Sequence, residues 1–525
     1  VGSNGSLNFG NGTYVKPAED AEPGDRGTAN VETGTGNLFF GSDSTTVVSV
    51  PGIGKGPAFT TDSNTATVTV EDGATLILGN VSEAGQYLIT DGFLTQDGTL
   101  VEGWLDEEHL FALNEDGTGL DWVLDLGYDT DSIWVDVAYA DVRTEYPDLV
   151  MPDNTNDSLK HGSDPRGPQD IFINEILKDK TIGVDEKTRI INSVVEIGTA
   201  GGSFGAGFDN MTAAVDALEG RISFAGETFT HDGRMVAGET GTDLWAVALG
   251  GSHSVDSNTA SGGMKGGYEA DTYGFMAGLD HKIRGTNWRT GVALSYQEGD
   301  LDSTGDWLDA STDYDTFGIQ AYANYSPNPH FNLIGSVGYF RNGAETTMGL
   351  PAASKTFREA SADVDIDMFA AAARMEGRFD VGSVSVIPHA GVRMLITNAG
   401  SYSTKFDGQT AFESDADSLM TGQLPIGVAV RGDFTGSNGW TWRPTADVTV
   451  MPQFGDVDVR TRVRGVDTGI TERVEAEMTG HFVATGSLGI QAEKDDLTIG
   501  AGYGFTGGMS GQADHAFNVN VRWRF

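Results

Sequence analysis

The side chains of this chain that could do chemistry are carboxylates and arginines rather than nucleophiles. No nucleophile elbow, phosphate-binding glycine loop, His-Glu-x-x-His pair or spaced set of metal ligands occurs, and the 9 histidines are scattered. Acidic runs do occur, from Asp300 to Asp315 and at Asp363, Asp365 and Asp367. They lack the regular ligand spacing and turn glycine of a calcium loop, so they read as a solvated or lumenal acidic face. A second pattern is a complementarity of charge. Asp209, Asp216 and Glu219 share a short helical stretch, while Arg374, Arg378, Arg393, Arg431, Arg443, Arg522 and Arg524 recur on alternating segments downstream. Buried charges are costly unless paired, so the two sets are expected to meet if the helix lies among those segments. If the helix lies elsewhere, both sets are solvated. Neither reading needs a metal or a cofactor, and the chain is not expected to be an enzyme.

The helix that would carry the three carboxylates is predicted over residues 208–220. Asp209 or Asn210 can serve as N-cap, Met211, Val215 and Leu218 share a face, and Gly220 stops it. The elements that would surround it are strands. Phe517, Val519, Val521, Trp523 and Phe525 alternate with polar residues up to the last position. The same period of two recurs through Trp442, Ala446, Val448 and Val450, through Leu424, Ile426, Val428 and Val430, and on either side of residue 380. Further strands are predicted to start near 243, 272, 288, 316, 331, 481 and 497. That gives about twelve, each near the roughly 9 to 11 residues that a tilted strand needs to cross a bilayer. Short turns, at 326–329 and 432–439, alternate with long polar loops at 298–312, 341–362 and 455–475. Aromatics at strand ends, including Tyr273, Phe275, Tyr325, Tyr339, Trp442 and Trp523, read as interfacial girdles.

Composition is consistent with this. The 525 residues include 73 glycines and no cysteine, and no stretch is long and apolar enough for a membrane helix. The mean hydropathy of −0.23 does not exclude a barrel, whose strands average near zero. A formal charge of −44, from 76 acidic and 32 basic side chains, makes nucleic acid an improbable partner. Because Val1 starts within a Gly/Asn/Ser-rich pattern, the chain is expected to be a processed or truncated product. A soluble antiparallel sandwich also alternates, but its strands usually run about 5 or 6 residues.

With a terminal aromatic strand, about eleven strands before it and a helix leading in, residues 208–525 resemble the translocator of an autotransporter of type V secretion. The resemblance implies a monomeric barrel in the outer membrane of a Gram-negative bacterium that exports and anchors its own preceding segment. It implies a helix threaded through the pore, and as partners the barrel-assembly machinery, periplasmic chaperones, and outer-membrane lipid with lipopolysaccharide. The family's terminal assembly signal maps onto Asn518, Val521, Trp523 and Phe525, with Asn520 standing where glycine is usual. Some relatives cut themselves in the helix through an asparagine side chain. Only Asn210 is available here, with Asp209 in place of a second asparagine, so capping is its default role. The remaining alternative is a porin-like or ligand-binding barrel with a soluble extension.

The fold class expected is therefore all-β: about twelve antiparallel transmembrane strands around a lumenal α-helix, preceded by a partial parallel β-helix passenger and a short helical insert. Residues 1–150 would be the end of the passenger. Its repeats are Gly5 to Gly10, Gly36 to Gly41 and Gly73 to Asn80, and it is capped by a module containing Trp104, Trp122 and Trp134. Residues 151–207 would be a linker with helices at 168–179 and 184–197, followed by a glycine-rich stretch. Residues 208–241 would thread the pore, and 242–525 would form the barrel.

Overall fold

The chain divides into two units, Val1–Glu145 and Tyr146–Phe525. The computed structural model describes residues 142–524 except 162–163, 201, 231, 237–238 and 510. Before these it describes 6–9, 37–40, 45–50, 53–54, 56–60, 64–71, 74–79, 81, 85–95, 110–112 and 122–139. Phe525, Trp104 and the glycines and asparagine that open or close most of the repeats lie outside the described residues.

In the first unit, short strands stack in parallel. Ser6–Phe9, Asn37–Phe40 and Val68–Val70 form one sheet, and Thr45–Ser49, Thr75–Gly79 and Leu110–Ala112 a second. Phe59–Thr60 lies parallel to Gly85–Asp91 in a third. Leu38 pairs with Val68 and Thr45 with Thr75, a common offset of roughly 30 residues that suits a solenoid repeat. Leu38, Phe40, Val68, Leu76, Leu78 and Ile89 share one core. The third sequence repeat, however, lies on a different sheet from the first two. Every face of such a coil needs the same apolar alternation, so alternation alone does not tell the faces apart. Trp122–Tyr128 and Ser132–Tyr139 add an antiparallel hairpin to Gly85–Asp91 and so end the parallel pairing in that sheet.

The second unit is a closed antiparallel barrel of twelve strands. The first strand, Thr242–Thr259, pairs with Lys265–Lys282 on one edge and with the last, Gln512–Arg524, on the other. Most strands are nearly twice the expected length: Trp288–Gly305 has 18 residues, and Phe331–Gly349 and Glu359–Gly377 have 19 each. The predicted long loops are thus mostly ladder. Phe331–Gly349 stays paired with Glu359–Gly377 throughout, and 455–475 holds Asp458–Gly465 and most of Thr471–Glu477, which pair with each other.

The outward face explains why these extensions looked like loops. From Trp288 through Val292, Leu294 and Tyr296 it is apolar, and then it turns to Asp300 and Asp302. Nine residues of strand span about 30 Å, enough for the apolar band. Above it, strands surrounded by water have no need of an apolar outer face, so the signal that marks them vanishes. Two aromatic levels bound the band, with Trp288 against Tyr325 (4.8 Å between ring centres) at one and Phe275 with Tyr296, and Tyr339 with Phe369, at the other. The acidic runs lie just beyond the second level, on the outer wall rather than in the lumen, with Glu298 opposite Asp315 and Glu345 opposite Asp363.

Between the units' boundary and the barrel lie helices α1 (Pro152–Lys160), α2 (Pro168–Lys178), α3 (Val184–Val195), α4 (Ile197–Ala200) and α5 (Ser203–Ile222). Most of the predicted 151–167 linker is α1, a polar helix whose weak apolar signal hid it. Its Asn154, Thr155 and Ser158 are buried through hydrogen bonds instead. The helix predicted over 208–220 extends at both ends, to 20 residues or about 30 Å.

Candidate functional site

α5 lies in the barrel lumen, and the wall contacts it at successive depths. Its first turns are glycine-rich, which opposes helix formation by up to about 1 kcal/mol per glycine. Packing reverses that preference. A Cβ on Gly205 would collide with the Tyr268 hydroxyl, and one on Gly207 would crowd Asn342, so only glycine lets the helix lie this close to the wall. The Asn342 side-chain amide points to the Ser203 carbonyl at 3.4 Å.

One level deeper, Asp209 meets His253 of the first strand at 2.7 Å, and the same imidazole contacts Asp514 of the last strand. This corrects the expectation that Asp209 pairs with an arginine. Asn210 is not a cap either, because α5 begins seven residues earlier, after Gly202. Its side chain donates to Thr316 Oγ1 at 2.9 Å, and its carbonyl accepts from Gln297 at 2.9 Å.

In its last two turns, α5 presents Asp216 and Glu219 to Arg393, with 2.7 Å to Glu219. Arg374 stands 4.0 Å from Glu219 and pairs with Glu376 at 3.0 Å. Leu218 and Ile222 pack with Trp245, Met276, Tyr322 and Ile334. At the far end Arg221 pairs with Glu227 (3.0 Å) and Asp280, and lies 4.6 Å from the centre of the Trp245 ring. Asp280 also binds Arg289, which pairs with Asp243 at 2.9 Å.

Beyond Ile222 the chain turns back on itself, and the remaining arginines serve this turn or the wall. Arg431 donates to the carbonyls of Phe224, Gly226 and Phe229 at 2.8 to 2.9 Å. Arg522 reaches the Glu227 carbonyl and Thr498. Arg443 pairs with Asp433 and Glu493, Arg524 with Glu493, and Arg378 with Asp380. Of the seven arginines proposed from sequence, then, Arg393 closely and Arg374 marginally meet the helix carboxylates.

The residues that sequence reasoning missed are Arg221, Glu227, Asp243, Asp280, Arg289 and His253. Gly220 was read as a stop, which hid Arg221. Asp243, Asp280 and Arg289 alternate with the outward Leu244, Leu279 and Trp288, so the period of two did mark them as inward. Asn518, Val521 and Trp523 lie in the closing strand, hydrogen-bonded on both edges, with Val521 and Trp523 outward. Among the described residues, no group of three His, Cys, Asp or Glu side chains could hold a metal ion.

A closed antiparallel barrel with an apolar outer band has the architecture of an outer-membrane β-barrel. The chain matches the autotransporter β-domain over residues 223–504, and it belongs to that family. No curated protein matches it. Among solved structures it is similar to the β-domain of the Bordetella autotransporter BrkA, with 14% identity and a TM-score of 0.40 over 54% of this chain and 100% of that one. It is also similar to the NalP translocator domain of Neisseria meningitidis (18%, 0.41, 60% and 98%) and to the transport unit of AIDA-I from Escherichia coli (12%, 0.44, 62% and 99%). Family membership places the barrel in the outer membrane of a Gram-negative bacterium as a translocator domain, which is not a catalytic one.

Proposed function

We propose that this barrel exports the residues preceding it and then anchors them at the cell surface. The observation that supports this is α5. A helix bonded to the wall along its length, from Ser203 to Arg221, and joined to the first strand through the turn at 223–241 is what remains when a chain has been drawn through the pore. A porin-like barrel would need the lumen that α5 occupies. In this reading the overlong hairpins face outward, the first unit is a passenger, and the short turns face the periplasm. The barrel acts as a monomer; chaperones and the assembly machinery deliver it, reading Asn518, Val521, Trp523 and Phe525. Lipid and lipopolysaccharide contact the outer band.

The test combines two readouts on cells expressing the chain. Outer-membrane fractions should give a band that shifts on boiling, because closed barrels resist detergent until heated. Protease added to intact cells should remove residues before 146 while leaving the barrel. A heat-shifting barrel whose first unit is cut only after the outer membrane is breached would rule out export.

A further inference from the structure

Four helices, α1–α4, precede α5. α1 and α2 both begin at a proline after a residue that offers no capping side chain, Met151 and Gly167. The first N–H groups of a helix need acceptors and carry partial positive charge. Here the acceptors come from one barrel hairpin, 465–472. Glu472 accepts from the backbone N–H groups of Asp153 (3.3 Å) and Asn154 (3.1 Å), and from the Asn154 side chain at 2.6 Å. Asp467 accepts from the backbone N–H of Asp170 at 3.0 Å.

Other hairpin tips on the same side also hold the helices. Glu175 accepts from the Thr356 N–H, Phe172 packs on Phe406 at 4.7 Å, Ser193 accepts from the Leu308 N–H, and Gly198 lies against Tyr402. The four helices therefore span the barrel mouth from tip to tip, directly above the entry of α5 at Gly202.

We propose that α1–α4 are a lid, which docks on the 465–472 hairpin after the preceding chain has passed and closes the pore at the surface independently of α5. That the mouth faces outward rests on the function proposed above. Two of the helices complete their N-termini with barrel carboxylates, so docking is coupled to their stability. An emerging, undocked segment would lack both caps.

The chain contains no cysteine, so Ser203→Cys places a single thiol on the first turn of α5, beneath the lid. Intact cells carrying it are treated with a membrane-impermeant maleimide, with and without the pair Asp467→Ala and Glu472→Ala. Tryptic cleavage at Lys187, which is 9% exposed within docked α3, reports undocking, and a heat-dependent gel shift reports an intact barrel. The expected result is a protected thiol under the intact lid and labelling at the rate of an exposed thiol once the lid is undocked. Rapid labelling under the intact lid, or protection that persists when Lys187 is cleaved, would overturn the proposal. Labelling of the undocked form only in permeabilised cells would support a lid and refute the outward orientation.

Discussion

The helix in the lumen and the helices over the mouth fill the same barrel by different means. α5 is held by pairs of acidic and basic side chains: Arg393 with Asp216 and Glu219, Arg221 with Glu227 and Asp280, and Asp209 with His253. The mouth helices are held mainly through their backbone ends, by Asp467 and Glu472, and by the Phe172 and Phe406 contact. Depth accounts for the difference. Within the wall each helix side chain faces strands whose inward positions can supply an opposite charge. At the mouth the helix ends themselves are exposed to the hairpins, and the cheapest bond is a carboxylate on a free N–H.

Breaking a lumenal pair should have the largest effect. Arg393→Met leaves Glu219, 1% exposed, with only Arg374 at 4.0 Å. Removing one partner of a buried pair costs about 3 to 5 kcal/mol, so the temperature at which the unheated gel form is lost should fall. Adding Glu219→Gln should recover part of it. A wild-type melting profile for Arg393→Met would mean that α5 is not held by its charges.

The mouth should instead respond to pH. Glu196, between α3 and α4, is 2% exposed, and neither of its oxygens has a hydrogen-bond partner among the described residues. Burial pushes its carboxyl well above its ordinary value of 4.5. The nearby Ser261 hydroxyl, committed to the Glu475 backbone, offsets only part of this. The docked acid keeps a proton that the undocked one has lost, so the contribution of Glu196 to docking is fully present below about pH 4.5 and declines as pH rises towards the raised value. In the same helices, burial alone would raise the Asp170 carboxyl, but the hydrogen bonds from Arg166 outweigh it and the net shift is downward. Glu196→Gln should therefore flatten the pH dependence of tryptic cleavage at Lys187 and slow that cleavage at neutral pH. An unchanged pH profile would exclude Glu196 as its source.

The smallest effect is expected outside both regions. Arg462 and Asp415 pair on the exposed hairpin wall, about half exposed each. Surface pairs contribute about 0.2 to 1 kcal/mol, so Arg462→Ala should leave the gel transition nearly unchanged at physiological salt. A loss comparable with Arg393→Met would show that the overhanging wall, too, depends on ion pairs.

Much of the barrel was legible because lipid imposes a rule on alternate residues. Ile426, Val428, Val448, Val519, Val521 and Trp523, all marked by period two, are all outward. The overhanging ladders, the polar helix α1 and the glycine-rich start of α5 were not legible, because none carries an apolar period.

The sequence by itself determined an acidic chain without cysteine, its strand number, its inward and outward faces and the presence of a helix before the first strand. Those follow from local periodicity and from what a bilayer admits. Tertiary structure alone decided which charges meet: that Asp209 takes a histidine, that most of the proposed arginines bind carbonyls or wall carboxylates, and that α1 and α2 are capped from a hairpin some 300 residues away. Partners so distant along the chain are chosen by barrel closure and strand register, which no local pattern encodes.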